Sequence, residues 1–126
     1  MSDTFIVMVT GGRDYALSSR DHRWLKSHLE TLHEWHDLVF VHGDAHGLDS
    51  EAAEVASAMG IAVVPFYAPW TQVGKRAGHV RNWQMLRAAN VLLAFPGGRG
   101  TENCVAQAGV LGVDTKESPT RVYRRG

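Results

Sequence analysis

Three glycines, an arginine and a threonine stand together in the segment 96–101, Pro-Gly-Gly-Arg-Gly-Thr. Glycines let backbone N–H groups approach an anion closely, and a helix that begins after them adds a partial positive charge at its N-terminus. The segment therefore predicts a phosphate site, in which the Thr101 hydroxyl either donates to the phosphate or caps the helix. A plain strand-to-helix turn is the alternative, but it explains two of the glycines better than all three.

A second glycine-rich loop covers residues 42–49, His-Gly-Asp-Ala-His-Gly-Leu-Asp. Asp44 lies between a glycine and an alanine, where its carboxylate could accept hydrogen bonds from ribose hydroxyls. Asp49 could serve the same site, or it could cap the helix that follows. His42 and His46 do not lie on a regular helical face and have no cysteine or third histidine beside them, so we expect no metal site.

A third loop covers residues 10–15, Thr-Gly-Gly-Arg-Asp-Tyr. Here Arg13 could clamp an anion and Tyr15 could stack on a base. A local ion pair between Arg13 and Asp14, with Tyr15 packed beside it, is the alternative interpretation.

Each loop follows a continuous apolar run, as expected for strands that are covered on both faces. Such runs occupy residues 5–10, 38–42, 61–65 and 91–95. Apolar periodicity and capping residues predict helices over about 18–35, 49–59, 79–89 and 102–111. The end of the chain is expected to form a short edge strand over 120–123, reached by a polar loop over 114–119.

Strands and helices that alternate with short connections predict an α/β fold. We expect a single Rossmann-like, three-layer domain over residues 1–126, with a mostly parallel sheet of about five strands. Ligands bind such sheets beyond the carboxyl ends of the strands, at a topological switch point. The three glycine-rich loops should therefore converge on one rim.

The chain has 126 residues, a formal net charge of zero and one cysteine, Cys104. This composition is typical of one globular domain in a reducing cytoplasm, and no run approaches the roughly 18 apolar residues of a membrane helix. Residues 1–63 hold 4 basic and 10 acidic side chains, a net of −6, whereas residues 64–126 hold 9 and 3, a net of +6. A cleft with one acidic and one basic wall would suit a ligand with hydroxyls and phosphate, although two solvated faces or a dimer contact explain the polarity equally well.

Three motifs together resemble the SLOG superfamily, named from the Smf/DprA and LOG proteins, and within it the small YspA/YpsA-like branch. They are His-Gly-Asp-Ala-x-Gly-Leu-Asp at 42–49, Arg-Asn-x-x-Met at 81–85 and Pro-Gly-Gly-x-Gly-Thr at 96–101. The resemblance implies a Rossmann-like domain that binds a nucleotide or a nucleotide-derived ligand. The residues expected to contact this ligand are Gly11, Gly12, Arg13, Gly43, Asp44, Arg81, Asn82, Gly97, Gly98, Arg99, Gly100 and Thr101.

LOG-type members of this superfamily are phosphoribohydrolases, which split a nucleoside 5′-monophosphate into base and ribose 5-phosphate. Arg81 matches an arginine of their pattern, but Cys104 stands where that pattern has a catalytic glutamate. Because glycosidic cleavage passes through an oxocarbenium-like state that a carboxylate stabilises, this departure speaks against hydrolysis. Glu102 lies about 200° round the helix from position 104 and cannot simply replace it. Cys104 itself is either a helix-activated thiolate or a small buried thiol.

The leading interpretation is a cytoplasmic nucleotide-binding protein with a sensor or sequestering role and no cofactor. The alternative is a LOG-like hydrolase, whose catalytic residues would be Arg81, Asp44 and Asp49. We expect no membrane partner, and the resemblance to LOG proteins suggests a homodimer.

A third class of function is binding of single-stranded DNA, which DprA-like proteins perform on a similar fold. Stacking and positive charge could come from Trp70, Lys75, Arg76 and Arg87. A net charge of zero makes nucleic acid the weakest of the three interpretations.

Overall fold

The computed structural model describes residues 4–43, 47–66, 74 and 77–124. Five parallel strands form one sheet in the order β3-β2-β1-β4-β5. Their bounds are Thr4–Thr10 for β1, Asp37–His42 for β2, Ala62–Pro65 for β3, Val91–Ala94 for β4 and Asp114–Glu117 for β5. The α/β class and the five-stranded Rossmann-like sheet are thereby confirmed.

In the described residues, five helices connect or follow the strands. They are α1 at Ser19–Trp35, α2 at Leu48–Ala58, α3 at Ala77–Ala88, α4 at Arg99–Leu111 and α5 at Pro119–Arg124. The first helix begins as its sequence predicts, because the Ser18 side chain accepts a 3.1 Å hydrogen bond from the N–H of Asp21. None of the helices that the structure describes is both long and apolar enough to span a bilayer.

Each face of the sheet carries its own apolar core. On one face, α1 and α2 cover alternate residues of β1 and β2, with Leu25, Leu29, Ala52 and Ala56 buried against Val7 and Phe40. On the other face, α3 and α4 cover the residues between them, with Met85, Leu86, Cys104 and Ala108 buried against Met8 and Leu92. The central strands are apolar throughout because both of their faces are covered.

The C-terminal prediction is wrong. The polar segment 114–117 forms the fifth strand, whereas residues 120–123 lie in α5. An edge strand pairs on one side only, and in β5 partly buried residues alternate with exposed ones, so a polar sequence suffices there. Pro119 occupies the first position of α5 and the Ser118 hydroxyl accepts from the N–H of Arg121 at 3.3 Å, which is a helix start.

Two helices begin earlier than predicted. The third starts at Ala77 and the fourth at Arg99, so Arg99, Gly100 and Thr101 form the first turn of α4 instead of a loop before it. The residues singled out as a phosphate loop are therefore part loop and part helix N-terminus.

Candidate functional site

The carboxyl ends of β1 and β4 open onto a cleft of about 690 Å³. These strands are neighbours at the point where the strand order reverses, which is the topological switch point of the sheet. The cleft walls come from the loop after β1, the loop and first turn after β4, and the first half of α3. The described lining residues are Gly11, Gly12, Arg13, Asp14, Tyr15, Gly78, His79, Arg81, Asn82, Pro96, Gly97, Gly98, Gly100 and Thr101.

The loop after β1 contacts both of the other glycine-rich loops. The N–H of Gly12 donates to the carbonyl of Pro96 at 2.9 Å, and the carbonyl of Gly12 accepts from the N–H of Leu48 at 3.3 Å. A side chain at Gly47 would collide with the backbone of Arg13, 2.2 Å from its carbonyl oxygen, and Gly47 has a φ of +78°. The three loops therefore converge on one rim.

The glycines of the segment 96–101 have different tasks. A Cβ at Gly97 would lie 2.1 Å from Oγ1 of Thr101 and 2.8 Å from the backbone nitrogen of Gly12, so Gly97 is required for packing. A Cβ at Gly98 or Gly100 would meet nothing within 4 Å, although both residues line the cleft. The latter two leave open space beside the start of α4.

The N-terminus of α4 forms one wall of the cleft. Gly98 is the residue before the helix, and none of the described side chains caps it. The first intrahelical hydrogen bond runs from the N–H of Glu102 to the carbonyl of Gly98 at 3.1 Å, so the N–H groups of the preceding turn have no acceptor within the helix. Thr101 lies inside this turn, almost fully buried, and lines the cleft instead of capping the helix.

Arg81 reaches the cleft from α3 and also holds the end of β2. Its Nη1 donates to the carbonyl of Gly43 at 2.7 Å, and a Cβ at Gly43 would lie 2.8 Å from the guanidinium carbon. The N–H of Gly43 donates in turn to Oδ2 of Asp49 at 2.8 Å. Asp49 is buried within the first turn of α2, whose N-cap is Gly47, so its carboxylate fixes the loop and does not cap the helix.

The loop after β1 presents Arg13, Asp14 and Tyr15 to the cleft. Arg13 and Asp14 are exposed, and no ion pair joins them in the described part of the chain. The Tyr15 hydroxyl donates to the buried carboxylate of Asp21, and its ring lies 6.4 Å from that of Phe95, centroid to centroid. Tyr15 is thus fixed at its hydroxyl end beside the cleft.

Cys104 is fully buried beneath the site. Burial raises the pKa of its thiol to about 11, against the opposing effect of a hydrogen bond with the Thr10 side chain. The thiol is therefore neutral near pH 7, as expected for a small buried thiol and not for an activated thiolate. Glu102 contacts Arg121 through two hydrogen bonds of 2.6 and 3.0 Å, in agreement with its predicted position away from residue 104.

Not every predicted residue lies at the cleft. Arg99 is exposed in the first turn of α4, and Arg99, Gly43 and Asp49 are not among the described lining residues. The residues Asp44, His46, Trp70, Lys75 and Arg76 lie outside the described residues. Within the described ranges no group of three His, Cys, Asp or Glu side chains could hold a metal ion.

Sequence reasoning missed Gly78 and His79, which line the cleft from the first turn of α3. Both lie before or at the predicted start of that helix. A helix that follows a strand of a parallel sheet begins at the carboxyl edge of that sheet, where the cleft lies. The sequence could therefore have placed the first residues of this helix at the site.

Comparisons with known proteins agree with this architecture. The family model described as the YspA, cpYpsA-related SLOG family matches residues 5–72. Gene 61 protein of Mycobacterium phage D29 is 39% identical over 115 residues, which cover 85% of this chain and 90% of that protein.

Two solved structures share the fold at low sequence identity. The X-ray structure of TM1055, a structural genomics target, has a TM-score of 0.68 at 20% identity and is matched over 88% of this chain and 72% of its own. DNA processing protein A (DprA) from Streptococcus pneumoniae has a TM-score of 0.69 at 17% identity, and the match covers 90% of this chain and 50% of that one. Since the family match spans residues 5–72, more than half of the sequence, the chain belongs to the YspA, cpYpsA-related SLOG family.

Proposed function

We propose that this protein binds a nucleotide or a nucleotide-derived ligand in the cleft between β1 and β4, in a sensor or sequestering role. The observation that carries the proposal is that two anion-binding features border the same cleft. The N-terminus of α4, which no described side chain caps, forms one wall, and Arg81 lines another. Backbone N–H groups at a helix start together with a guanidinium make a site for a phosphate.

The size and charge of the cleft support a small anionic ligand. A volume of about 690 Å³ lies within the range of roughly 300–1,000 Å³ that is common for small-molecule sites. Two arginines, Arg13 and Arg81, line it against one carboxylate, Asp14, in the described part of the chain. This balance favours an anion over a cation.

The remaining lining residues suit the sugar and the base. Asp14 can accept hydrogen bonds from ribose hydroxyls. Tyr15 provides an aromatic ring on which a base can stack, and the hydrogen bond from its hydroxyl to Asp21 fixes that ring. Asn82 adds an amide that both donates and accepts. A phosphate on α4 with a nucleoside extending toward the loop after β1 would use all three.

A LOG-like hydrolase is less well supported. The position of the motif glutamate holds a buried neutral thiol, and Asp49 is already bonded to the Gly43 backbone. Binding of DNA is likewise weaker, because the similarity to DprA is at the level of the fold and the chain has a formal net charge of zero.

The test is a thermal-shift screen of the purified protein against nucleoside monophosphates, dinucleotides and cyclic ADP-ribose derivatives. A ligand at 100 times its Kd stabilises the folded state by about 2.7 kcal/mol, which shifts Tm measurably. The matched control is Gly98→Asp, which adds a carboxylate beside the helix start at a position where an added Cβ meets nothing within 4 Å. The proposal fails if no compound shifts the parent, or if the same compounds shift Gly98→Asp equally.

A further inference from the structure

Asp21 is a fully buried carboxylate that joins three parts of the chain. Its Oδ2 accepts from the hydroxyls of Tyr15, Ser118 and Thr120, with Ser118 at 3.1 Å, and its Oδ1 accepts from the N–H of Thr120 at 3.2 Å. A buried charge requires such partners, and hydrogen bonds to an ionised group are stronger than neutral ones. The start of α5 is therefore anchored to the loop after β1 through one side chain.

A second bridge runs from α5 to the other wall of the cleft. The almost fully buried Arg121 donates to both carboxylate oxygens of Glu102, at 2.6 and 3.0 Å, and its Nε donates to Glu117 at 2.9 Å. The hydrogen bond to Glu102 is the main reason that the pKa of Arg121 lies above its ordinary value. Glu102 follows Thr101 directly in the first turn of α4, which is the turn that borders the cleft.

One bridge begins on the loop after β1 and the other on the first turn of α4, and both end within the four residues 118–121. Tyr15 belongs to the wall after β1, and Glu102 adjoins the wall after β4. The positions of both walls thus depend on the same short helix, which lies outside the described lining of the cleft.

We infer that Asp21 and Glu102 are positioning residues of the cleft, and that the anchoring of α5 on them sets how tightly the cleft holds its ligand. This inference rests on the proposed function, since the ligand is the nucleotide proposed above. Coupling is reciprocal, so a bound ligand that fixes the two walls also protects α5.

The direction in which Glu102→Gln changes the affinity for the ligand distinguishes this inference from a purely electrostatic effect. Removing a negative charge next to a phosphate site should strengthen anion binding if charge alone matters. If Glu102 acts by holding Arg121, and through it α5, its loss instead weakens binding. Thr120→Val tests the other bridge, because it removes a hydroxyl that donates to Asp21 and keeps the volume of the side chain.

The experiment measures the Kd of AMP by calorimetry and the hydrogen–deuterium exchange of the ligand-free protein over residues 11–15 and 98–104. We expect AMP to bind Thr120→Val and Glu102→Gln about fivefold more weakly or worse, with faster exchange in both segments. Thr120→Ser, which keeps the hydroxyl, should restore the parent values. The control is Asp114→Asn, which breaks the exposed 3.4 Å ion pair with Lys116 and should change neither measurement.

Unchanged or tighter AMP binding by Glu102→Gln, with parental exchange over 98–104, would overturn the inference. If the parent itself does not bind AMP, the hydrogen–deuterium exchange rates decide. Exchange as slow as in the parent in both variants overturns the inference, and faster exchange over residues 11–15 and 98–104 supports it. Failure of the proposed function is visible separately, because it requires that no compound of the thermal-shift screen binds the parent.

Discussion

The guanidinium of Arg81 donates a 2.7 Å hydrogen bond to the carbonyl oxygen of Gly43, the residue directly after β2. The N–H of Gly43 is held from the other side by Asp49 at 2.8 Å. Since Arg81 comes from α3 and Asp49 from α2, helices on opposite faces of the sheet hold the same glycine. Arg81 consequently has a structural task in addition to its place on the cleft.

Replacing Arg81 by alanine should weaken nucleotide binding by about 10- to 100-fold, because a hydrogen bond to a charged group contributes about 1.5–3 kcal/mol. The same change removes the donor to Gly43 and should lower Tm. Calorimetry and thermal unfolding measure the two effects separately. Arg81→Lys keeps the charge but not the planar fork, so it should recover part of the affinity.

The control for Arg81 is Arg23→Ala, which removes an equal charge from an exposed position on α1. It should leave both affinity and Tm close to the parent. Parental affinity in Arg81→Ala would show that Arg81 holds the loop after β2 and makes no contribution to ligand binding.

Gly98→Asp should abolish ligand binding while the fold stays intact. A Cβ at this position meets nothing within 4 Å, and the added carboxylate would stand beside the helix start proposed to hold the phosphate. Gly109→Asp is the matched control, because Gly109 lies in the same helix with equally open space and does not line the cleft. Equal binding by the two variants, measured by calorimetry, would refute the phosphate assignment.

Alanine substitutions at Gly97 and Gly100 should change stability in opposite directions. At Gly97 the new methyl would lie 2.8 Å from the backbone nitrogen of Gly12, which cannot move aside as a side chain can, so the free energy of unfolding should fall by about 1–3 kcal/mol. At Gly100 the methyl enters open space within a helix, which should stabilise by about 0.5–1 kcal/mol. Urea unfolding measures both, and a common sign would contradict the packing described for Gly97.

The sequence predicted the central part of this fold because its signals are local. Each strand that is buried on both faces reads as an apolar run, and the glycines after β1, β2 and β4 mark the ends of those strands. Parallel strands must end at one edge, so the convergence of their loops followed from topology alone. The placement of Gly12 against Pro96 confirms that convergence.

The remaining features depend on contacts between distant residues. The polar fifth strand carries no apolar run because it pairs only with β4, and its neighbour α5 is held by Asp21, which is 97 residues away from Ser118. Likewise, the different tasks of Gly97 and Gly98 depend on which glycine faces Thr101 and the backbone of Gly12. The spacing of residues along the chain therefore could not predict the fifth strand with its neighbouring helix, or the different roles of Gly97 and Gly98.

Cys104 should be inert toward thiol reagents in the folded protein. With a pKa near 11 in place of its ordinary value of 9.0, the thiolate fraction at pH 8 is about 100-fold lower, and burial blocks access as well. Labelling with a disulfide reagent at pH 8 should therefore be at least about 100-fold slower than in denaturant. Rapid labelling of the folded protein would contradict both the burial and the raised pKa.

Hydrolysis of AMP-like nucleotides should be absent or very slow. A neutral buried thiol at position 104 cannot stabilise the positive charge that develops on the ribose, and loss of one preorganised electrostatic partner costs about 10²- to 10³-fold in rate. The assay follows free base by chromatography for the parent, Cys104→Glu and the isosteric control Cys104→Gln. Activity confined to Cys104→Glu would indicate a binding protein on a hydrolase-like frame. Rapid release by the parent that survives Asp44→Asn and Asp49→Asn would refute this account, because the predicted carboxylates would then be unnecessary.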